Sequence, residues 1–376
     1  MSVEIRPVEP TRRQLRKFVK FGIDMYADNP YFVPSLIYDD VNTLSPKVNP
    51  AFDFCECQCF MAYRDGKPVG RIAAIINSAV NSRTGEKTLR FGFLDFIDDD
   101  EVVDALFDAI AQWGRRKGMT SMLGPMGFTD MDHEGMLVEG FDELGTMATI
   151  YNYPYYPRQM ERMGFKPEAE WIEMAVKVPD EIPEKYARIA QIAAKRNNLH
   201  VLKYTDRKKV KKEYGQAIFD LINEAYDGLY GYSPLTQRQI DYYIDMYLGI
   251  INLDFLTLVV DDEGKLVAVG ISIQSFSRAL QKSRGRLFPL GWWHLLKTLR
   301  GDSDIVDLLL IAVSPKYQNK GVNALLFADL IPYYIKAGFK HAETNPELLI
   351  NDKVRGQWDY FDARQHKRRL SFRKPI

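Results

Sequence analysis

The stretch VSPKYQNKGVNALL, Val313 to Leu326, places Gln318, Asn319, Lys320 and Gly321 in a row between an apolar run and an amphipathic helical pattern. The first backbone amides of a helix have no intrahelical partners, and the helix dipole adds to their pull on an anion. Gly321 would let an anion approach the backbone, Lys316 and Lys320 add positive charge, and Gln318 and Asn319 offer side-chain donors. Such a set suits a pyrophosphate. Val322, Leu325, Leu326, Leu330 and Tyr333 fall on one helical face, so the loop joins a strand to a helix, the context an anion site requires. A plain turn with solvated lysines is the alternative reading.

The elements that must hold this loop occur twice. CFMAYRDGKPVGRIAAII and FLTLVVDDEGKLVAVGISI each read as two apolar runs joined by an Asp/Gly/Lys turn, the pattern of a hairpin. A strand and an amphipathic helix follow in both halves: TLRFGFLDFI with EVVDALFDAIAQWGRRKGM, then DIVDLLLIAV with NKGVNALLFADLIPYYIKAGF. Helical segments precede each hairpin, in TRRQLRKFVKFGIDMYA and VKKEYGQAIFDLINEAYDGLYG. The turn glycines Gly66 and Gly264 are 198 residues apart and the helix-end glycines Gly118 and Gly338 are 220 apart, so the second copy holds about 22 extra residues. The plan predicts an α/β chain of mixed sheets covered by helices, with domains at 1–179 and 180–376 divided near Pro179 to Pro183.

With the loop in this setting, SPKYQNKGVNALL resembles the coenzyme A loop of the GNAT acyltransferase superfamily, a Gln/Arg-x-x-Gly-x-Gly/Ala scheme after the fourth strand. Gln318, Gly321 and Asn323 stand at the marked positions, and Asn323 departs from the usual small residue. The resemblance covers nearly the whole second half and, in degenerate form, the first, and it implies two GNAT-like domains in tandem. It implies that acetyl-CoA or a longer acyl-CoA is held by Ile311, Ala312 and Val313 and by Gln318, Asn319, Lys320, Gly321, Val322 and Asn323. It further implies an N-acyltransferase whose base is Glu343 or Asp307, whose Tyr360 faces the leaving sulfur, and whose Asn345 and Asn351 orient the amine. Capping, solvated charge and core packing are the competing roles for these side chains.

The first copy carries Asp98, Asp99, Asp100 and Glu101 at the equivalent junction. Carboxylates satisfy helix-start amides themselves and repel a pyrophosphate, so this copy is expected to leave coenzyme A to the second and to help shape the acceptor pocket. Its loop GPMGFTDMDHEGMLVEGFD brings His133 close to Asp130, Asp132 and Glu134 and is expected to face a substrate cleft. A single histidine there lacks the spaced partner of a zinc site. Cys55, Cys57 and Cys59 alternate on one face of a strand with no fourth ligand nearby, which favours core packing; no metal is expected.

Fifty basic residues balance fifty acidic ones, so no global field gathers nucleic acid. The tail RQHKRRLSFRK and residues 278–300 are the two basic stretches, and an aminoacyl-tRNA-dependent ligase of tandem GNAT type would have to rely on them. Residues 278–300 also hold LFPLGWWHLLKTL without an acidic residue, which suits peripheral contact with lipid headgroups, an acyl channel, a lid or a dimer contact. That composition points to a long-chain acyl-CoA and a lipid-like amine, as in the bacterial lipid N-acyltransferases the chain resembles, including the ceramide-forming kind; acetyl transfer to a small-molecule amine is the default. A non-catalytic acyl-CoA or lipid-binding module is the remaining alternative. No apolar run approaches the roughly 20 residues of a membrane helix, and the start lacks a signal-peptide core, so a cytoplasmic enzyme is expected.

Overall fold

Asp65 and Gly66 both take positive φ, 53° and 76°, which closes the first hairpin on a two-residue turn. Around it the computed structural model, which describes residues 2–249, 251–350 and 356–376, shows the elements the patterns demand. The first half runs β1 (Glu4–Val8), α1 (Arg12–Met25), α2 (Ile37–Thr43), β2 (Cys55–Arg64), β3 (Lys67–Asn77), α3 (Ser78–Thr84), β4 (Thr88–Phe96), α4 (Asp100–Arg116), β5 (Ser121–Gly124), β6 (Met136–Glu139), α5 (Tyr155–Arg162) and β7 (Lys166–Lys177). The second runs α6 (Glu184–Asn197), β8 (His200–Leu202), α7 (Arg207–Tyr226), α8 (Gln237–Tyr247), β9 (Leu256–Val260), β10 (Leu266–Gln274), α9 (Ser277–Ser283), α10 (Gly291–Leu299), β11 (Ile305–Val313), α11 (Val322–Ala337), β12 (His341–Thr344), β13 (Glu347–Leu348) and β14 (Ala363–Pro375).

The chain forms two compact units that are not consecutive stretches: Met1–Ile172 with Phe276–Leu296 and Lys367–Ile376, and Glu173–Ser275 with Lys297–His366. The first crossing falls at Ile172/Glu173, inside β7, where the prolines near 179 suggested a cut at 179/180. A strand can serve two units because each pairs only part of its length. The insertion 276–296 belongs to the first unit although it interrupts the second in sequence.

In the first unit β1, β2, β3 and β4 pair antiparallel, β4 runs parallel to β5, and Phe372–Pro375 of β14 pairs antiparallel with β5. Alternate residues of β2 and β3 serve opposite faces. Phe60, Ala62, Ile72 and Ala74 join Leu106, Phe107 and Ile110 of α4, whereas Cys59, Met61, Ala73 and Ile75 join Leu15, Phe18 and Val19 of α1. Cys55 and Cys57 lie with that second cluster, so the three thiols share one apolar face.

The second unit repeats the order. β8, β9, β10 and β11 pair antiparallel, β11 runs parallel to β12, and β12 pairs antiparallel with Ala175–Lys177 of β7. Val306, Leu308 and Ala342 pack with α6 and α11 on one face, and α7 lies against β10 and β11. By alternation Asp307 and Glu343 project to the face away from α11. The mixed α/β architecture expected from the repeat is what the chain adopts.

Candidate active site

In the second unit β11 and β12 pair only from Ile305–Leu308 to His341–Thr344. Asn345 follows at once, its backbone N–H 3.3 Å from the Leu308 carbonyl and its Nδ2 donating to the Leu309 carbonyl at 2.6 Å. Beyond Leu309 the two strands no longer pair, which leaves one edge of Leu310–Val313 without a strand partner among the described residues. The Ile311 carbonyl receives the hydroxyl of Tyr226 at 3.0 Å and that of Val313 receives Gln318 Nε2 at 3.2 Å. A carbonyl has two lone pairs, so each keeps acceptor capacity.

The loop follows directly. Pro315–Tyr317 makes a short 3-10 turn, Asn319 takes φ 61°, and Gly321, at φ 75°, precedes Val322 as the N-cap of α11. No side chain caps this helix start. Lys316 and Lys320 are exposed and stand 5.1 and 5.3 Å from the Tyr317 ring centre. Asn323 donates to Gln357 Oε1 at 3.4 Å.

Gly321 also has a packing role. A Cβ there would lie 3.0 Å from Ile189 Cγ2 and 3.4 Å from Ala193 Cβ, so the missing side chain faces α6. Glycine is required by its left-handed backbone and by helix packing. Gly321→Ala is expected to lower stability by about 1–3 kcal/mol, read as an earlier thermal transition.

The first unit provides the contrast. Asp99 caps α4 through its carboxylate, which accepts from Val102 N at 3.1 Å and from Arg64 at 2.7 and 2.9 Å, while Glu101 also binds Arg64. The helix-start amides are therefore met by the chain's own acids. Its strand gap is also filled: β4 and β5 pair only at Thr88–Arg90, and Met126 N then reaches the Phe91 carbonyl at 2.8 Å. Gly92 allows this approach, since a Cβ there would lie 2.4 Å from the Met126 oxygen.

Glu343 has a partner the sequence did not announce. Its Oε2 lies 2.8 Å from Nε2 of His366, whose side chain is 1% exposed against 15% for Glu343. Asp307 faces Glu343 directly in the parallel register and is buried, and Glu173, fully buried, shares that face by alternation from Ala175. The result is three carboxylates and an imidazole on one side of the sheet. Tyr360 lies with the apolar cluster on the other side, 5.4 Å from the Tyr186 ring and under Lys185 Nζ at 5.1 Å. Asn351 lies outside the described residues. A recess of about 440 Å³ beside Ile335, Gly338 and His341 sits at the far end of α11 from Gly321 and includes none of these side chains.

His133 belongs to the first unit, its Nε2 3.0 Å from the Met147 carbonyl. That oxygen can only accept, so Nε2 carries the proton, and burial holds the imidazole below its ordinary pKa. Next to it Glu134 has a buried Oε2 without a hydrogen-bond partner among the described residues. Burial, reinforced by Asp130, pushes its pKa up to about 8. A raised carboxyl pKa favours the fold while the group stays protonated, so this contribution is full below pH 4.5 and is lost as pH rises to about 8. Glu134→Gln is expected to melt higher than the parent at pH 8 and close to it at pH 4.

The tail read as basic surface is instead the strand β14. His366, Lys367, Arg369 and Ser371 are buried, Arg368 pairs with Glu139 and Glu170, and Arg373 with Glu86 and Glu168. Arg369 also donates to the carbonyls of Gly135 and Ile150. These cations are committed inside the fold.

Comparison with solved structures matches this arrangement from end to end. A tandem GNAT protein from the clavulanic acid biosynthesis pathway aligns with TM-score 0.58 over 100% of this chain and 98% of its own, at 12% identity. The chain has a tandem GNAT fold. In sequence, the chain is 28% identical over 302 residues to the bacterial ceramide synthase of Caulobacter vibrioides, covering 80% of this chain and 77% of that protein. It is 26% identical over 372 residues to protein YghO of Escherichia coli, covering 97% and 94%. No family model matches the sequence.

Proposed function

We propose that the chain is an acyl-CoA-dependent N-acyltransferase that moves a long-chain acyl group from its thioester to the amine of a lipid-like acceptor. The observation that carries this reading is the opened edge of β11 leading to the uncapped start of α11, with Glu343 on the neighbouring β12 and His366 against it. The amides of Lys320–Asn323 and the Lys320 side chain would take the pyrophosphate, and Leu310–Val313 the pantetheine arm.

Glu343 would remove the proton of the amine as its nitrogen attacks the thioester carbonyl. His366, whose Nε2–H donates to Glu343, positions the base. Collapse of the tetrahedral intermediate forms the amide and expels the thiolate, which takes up the proton that Glu343 removed from the amine; Asp307, in register with Glu343, is the alternative base. Asn345, held on the Leu309 carbonyl, would orient the acceptor. The acyl length and acceptor class are supported by the name of the Caulobacter relative.

The test is incubation with palmitoyl-CoA or acetyl-CoA and a long-chain amino alcohol, the kind of amine a ceramide contains, with the amide detected by mass spectrometry. Amide from palmitoyl-CoA is expected. Transfer from acetyl-CoA alone would sink the long-chain reading, and no transfer from either would sink the assignment. Lys320→Glu is expected to weaken palmitoyl-CoA binding by about tenfold in calorimetry, since it reverses a charge beside the helix start.

A further inference from the structure

The insertion carries apolar side chains that the fold leaves in the open. Phe288 is 75% exposed, Leu290 67%, Trp292 44% and Trp293 42%, all within six residues and all belonging to the first unit. Large apolar groups clustered this closely on a surface mark a contact, whereas scattered ones would need no explanation. The indole N–H of Trp292 is met by the Pro289 carbonyl at 3.0 Å, and the two indoles meet edge to face at 5.8 Å. Tryptophan of this kind favours the boundary between water and hydrocarbon.

The charged side chains of the insertion itself have one sign. Arg278, Lys282, Arg284 and Arg286 are exposed, and no Asp or Glu occurs from Arg278 to Arg300. The base of the insertion is tied down: Ser277 Oγ donates to Gly145, Gln281 Nε2 to Pro30 and Phe32, and Ile37 N to the Gly285 carbonyl. Tyr38, next to Ile37, is half exposed beneath the guanidinium of Arg12 at 5.3 Å, and Arg13, Arg16 and Lys17 line the exposed side of the same α1 helix. A fixed base thus presents an apolar tip on a segment whose charged side chains are all cationic, beside an α2 that adds Asp39 and Asp40.

We infer that residues 286–293, backed by the basic residues of α9, dock this protein on an anionic lipid bilayer as a peripheral protein. Two copies of so basic a patch would repel each other, while an anionic headgroup layer meets the cations and its acyl boundary takes the aromatic tip. Among the described residues no helix is long and apolar enough to cross a membrane. The inference does not depend on the acyltransferase reading.

The experiment is flotation of the full chain with vesicles of phosphatidylcholine alone and of an equal mixture with phosphatidylglycerol, at low and high salt. Binding is expected to the mixed vesicles and to weaken with salt. Lys282→Glu with Arg286→Glu, and separately Phe288→Ser with Trp292→Ser, should each lower the partition coefficient by about tenfold or more. Calorimetry with palmitoyl-CoA on the same variants should be unchanged, which separates this inference from the acyl-CoA site. Equal binding to neutral vesicles, no vesicle binding, or variants that bind like the parent would overturn it. So would a concentration-dependent dimer by light scattering that the Phe288→Ser, Trp292→Ser variant abolishes in the absence of vesicle binding.

Discussion

Glu343→Gln is expected to lower the turnover of acyl transfer by about 10²–10⁴-fold while leaving palmitoyl-CoA affinity near that of the parent. Glutamine keeps the shape of the side chain and can still accept from His366 Nε2, which lies 2.8 Å from the carboxylate, so the change removes proton acceptance with little else. The loss should fall on kcat and not on KM, because the proposed coenzyme A contacts do not include Glu343. His366→Ala is expected to cost less than Glu343→Gln, since it frees the base to rotate without removing it. His366→Gln, which restores an N–H donor at the same reach, should recover part of that loss. Asp307→Asn completes the series. Turnover lost in Asp307→Asn and kept in Glu343→Gln would move the base across the register by one strand, and parent-like turnover in both would end the carboxylate mechanism.

The loop and the repeat were legible in the sequence because both rest on local chemistry. A hairpin turn such as Asp65-Gly66 needs positive φ and announces itself by residue type, and the strand-to-helix junction at Val313–Val322 is marked by the change of apolar period. His366 was not legible. It sits in a segment whose thirteen residues are mostly charged, ARQHKRRLSFRKP, and hydrophobic patterning gives such a segment to the surface. Its burial depends on partners far away in sequence, Glu343 for His366 and the Gly135 and Ile150 carbonyls for Arg369. The one available signal was that a cationic tail so dense needs acids elsewhere, which does not say where. Gly321 shows a different limit: an anion's approach and packing on α6 ask for the same glycine, and only the geometry reveals the second demand. The divided units were hidden for a related reason, since no compositional break marks a strand that changes unit midway.

The same difficulty conceals the strongest structural prediction, because Arg71 and Asp95 lie within otherwise apolar strands and carry no motif. Both side chains are less than one-tenth exposed, and Arg71 Nε donates to Asp95 Oδ2 at 2.6 Å. Arg71 Nη1 also reaches the carbonyls of Phe18 and Val19, and its guanidinium lies 5.1 Å from the Phe18 ring centre. On the other oxygen of Asp95 the Tyr26 hydroxyl donates at 2.9 Å, and Tyr156 stands 2.8 Å from Tyr26 and 3.4 Å from the carboxylate. Burial holds both tyrosines well above the ordinary phenol range, so they stay protonated and able to donate. Every group in this network has a charge or a proton placed for another. Asp95→Ala leaves the buried guanidinium without its hydrogen-bonded carboxylate and the two tyrosine hydroxyls without their shared acceptor oxygen, and it is expected to destabilise the first unit by about 3–5 kcal/mol in urea unfolding. Tyr26→Phe, which removes one donor and leaves the ion pair, should cost only about 1–2 kcal/mol. Replacing both charges, with Arg71→Met and Asp95→Leu together, should recover much of the loss, because the penalty comes from the stranded ion and not from the absence of attraction. If the double variant is as unstable as Asp95→Ala, the hydrogen bonds of Arg71 to α1 hold this face of the sheet, and the ion pair serves only to make that arginine tolerable.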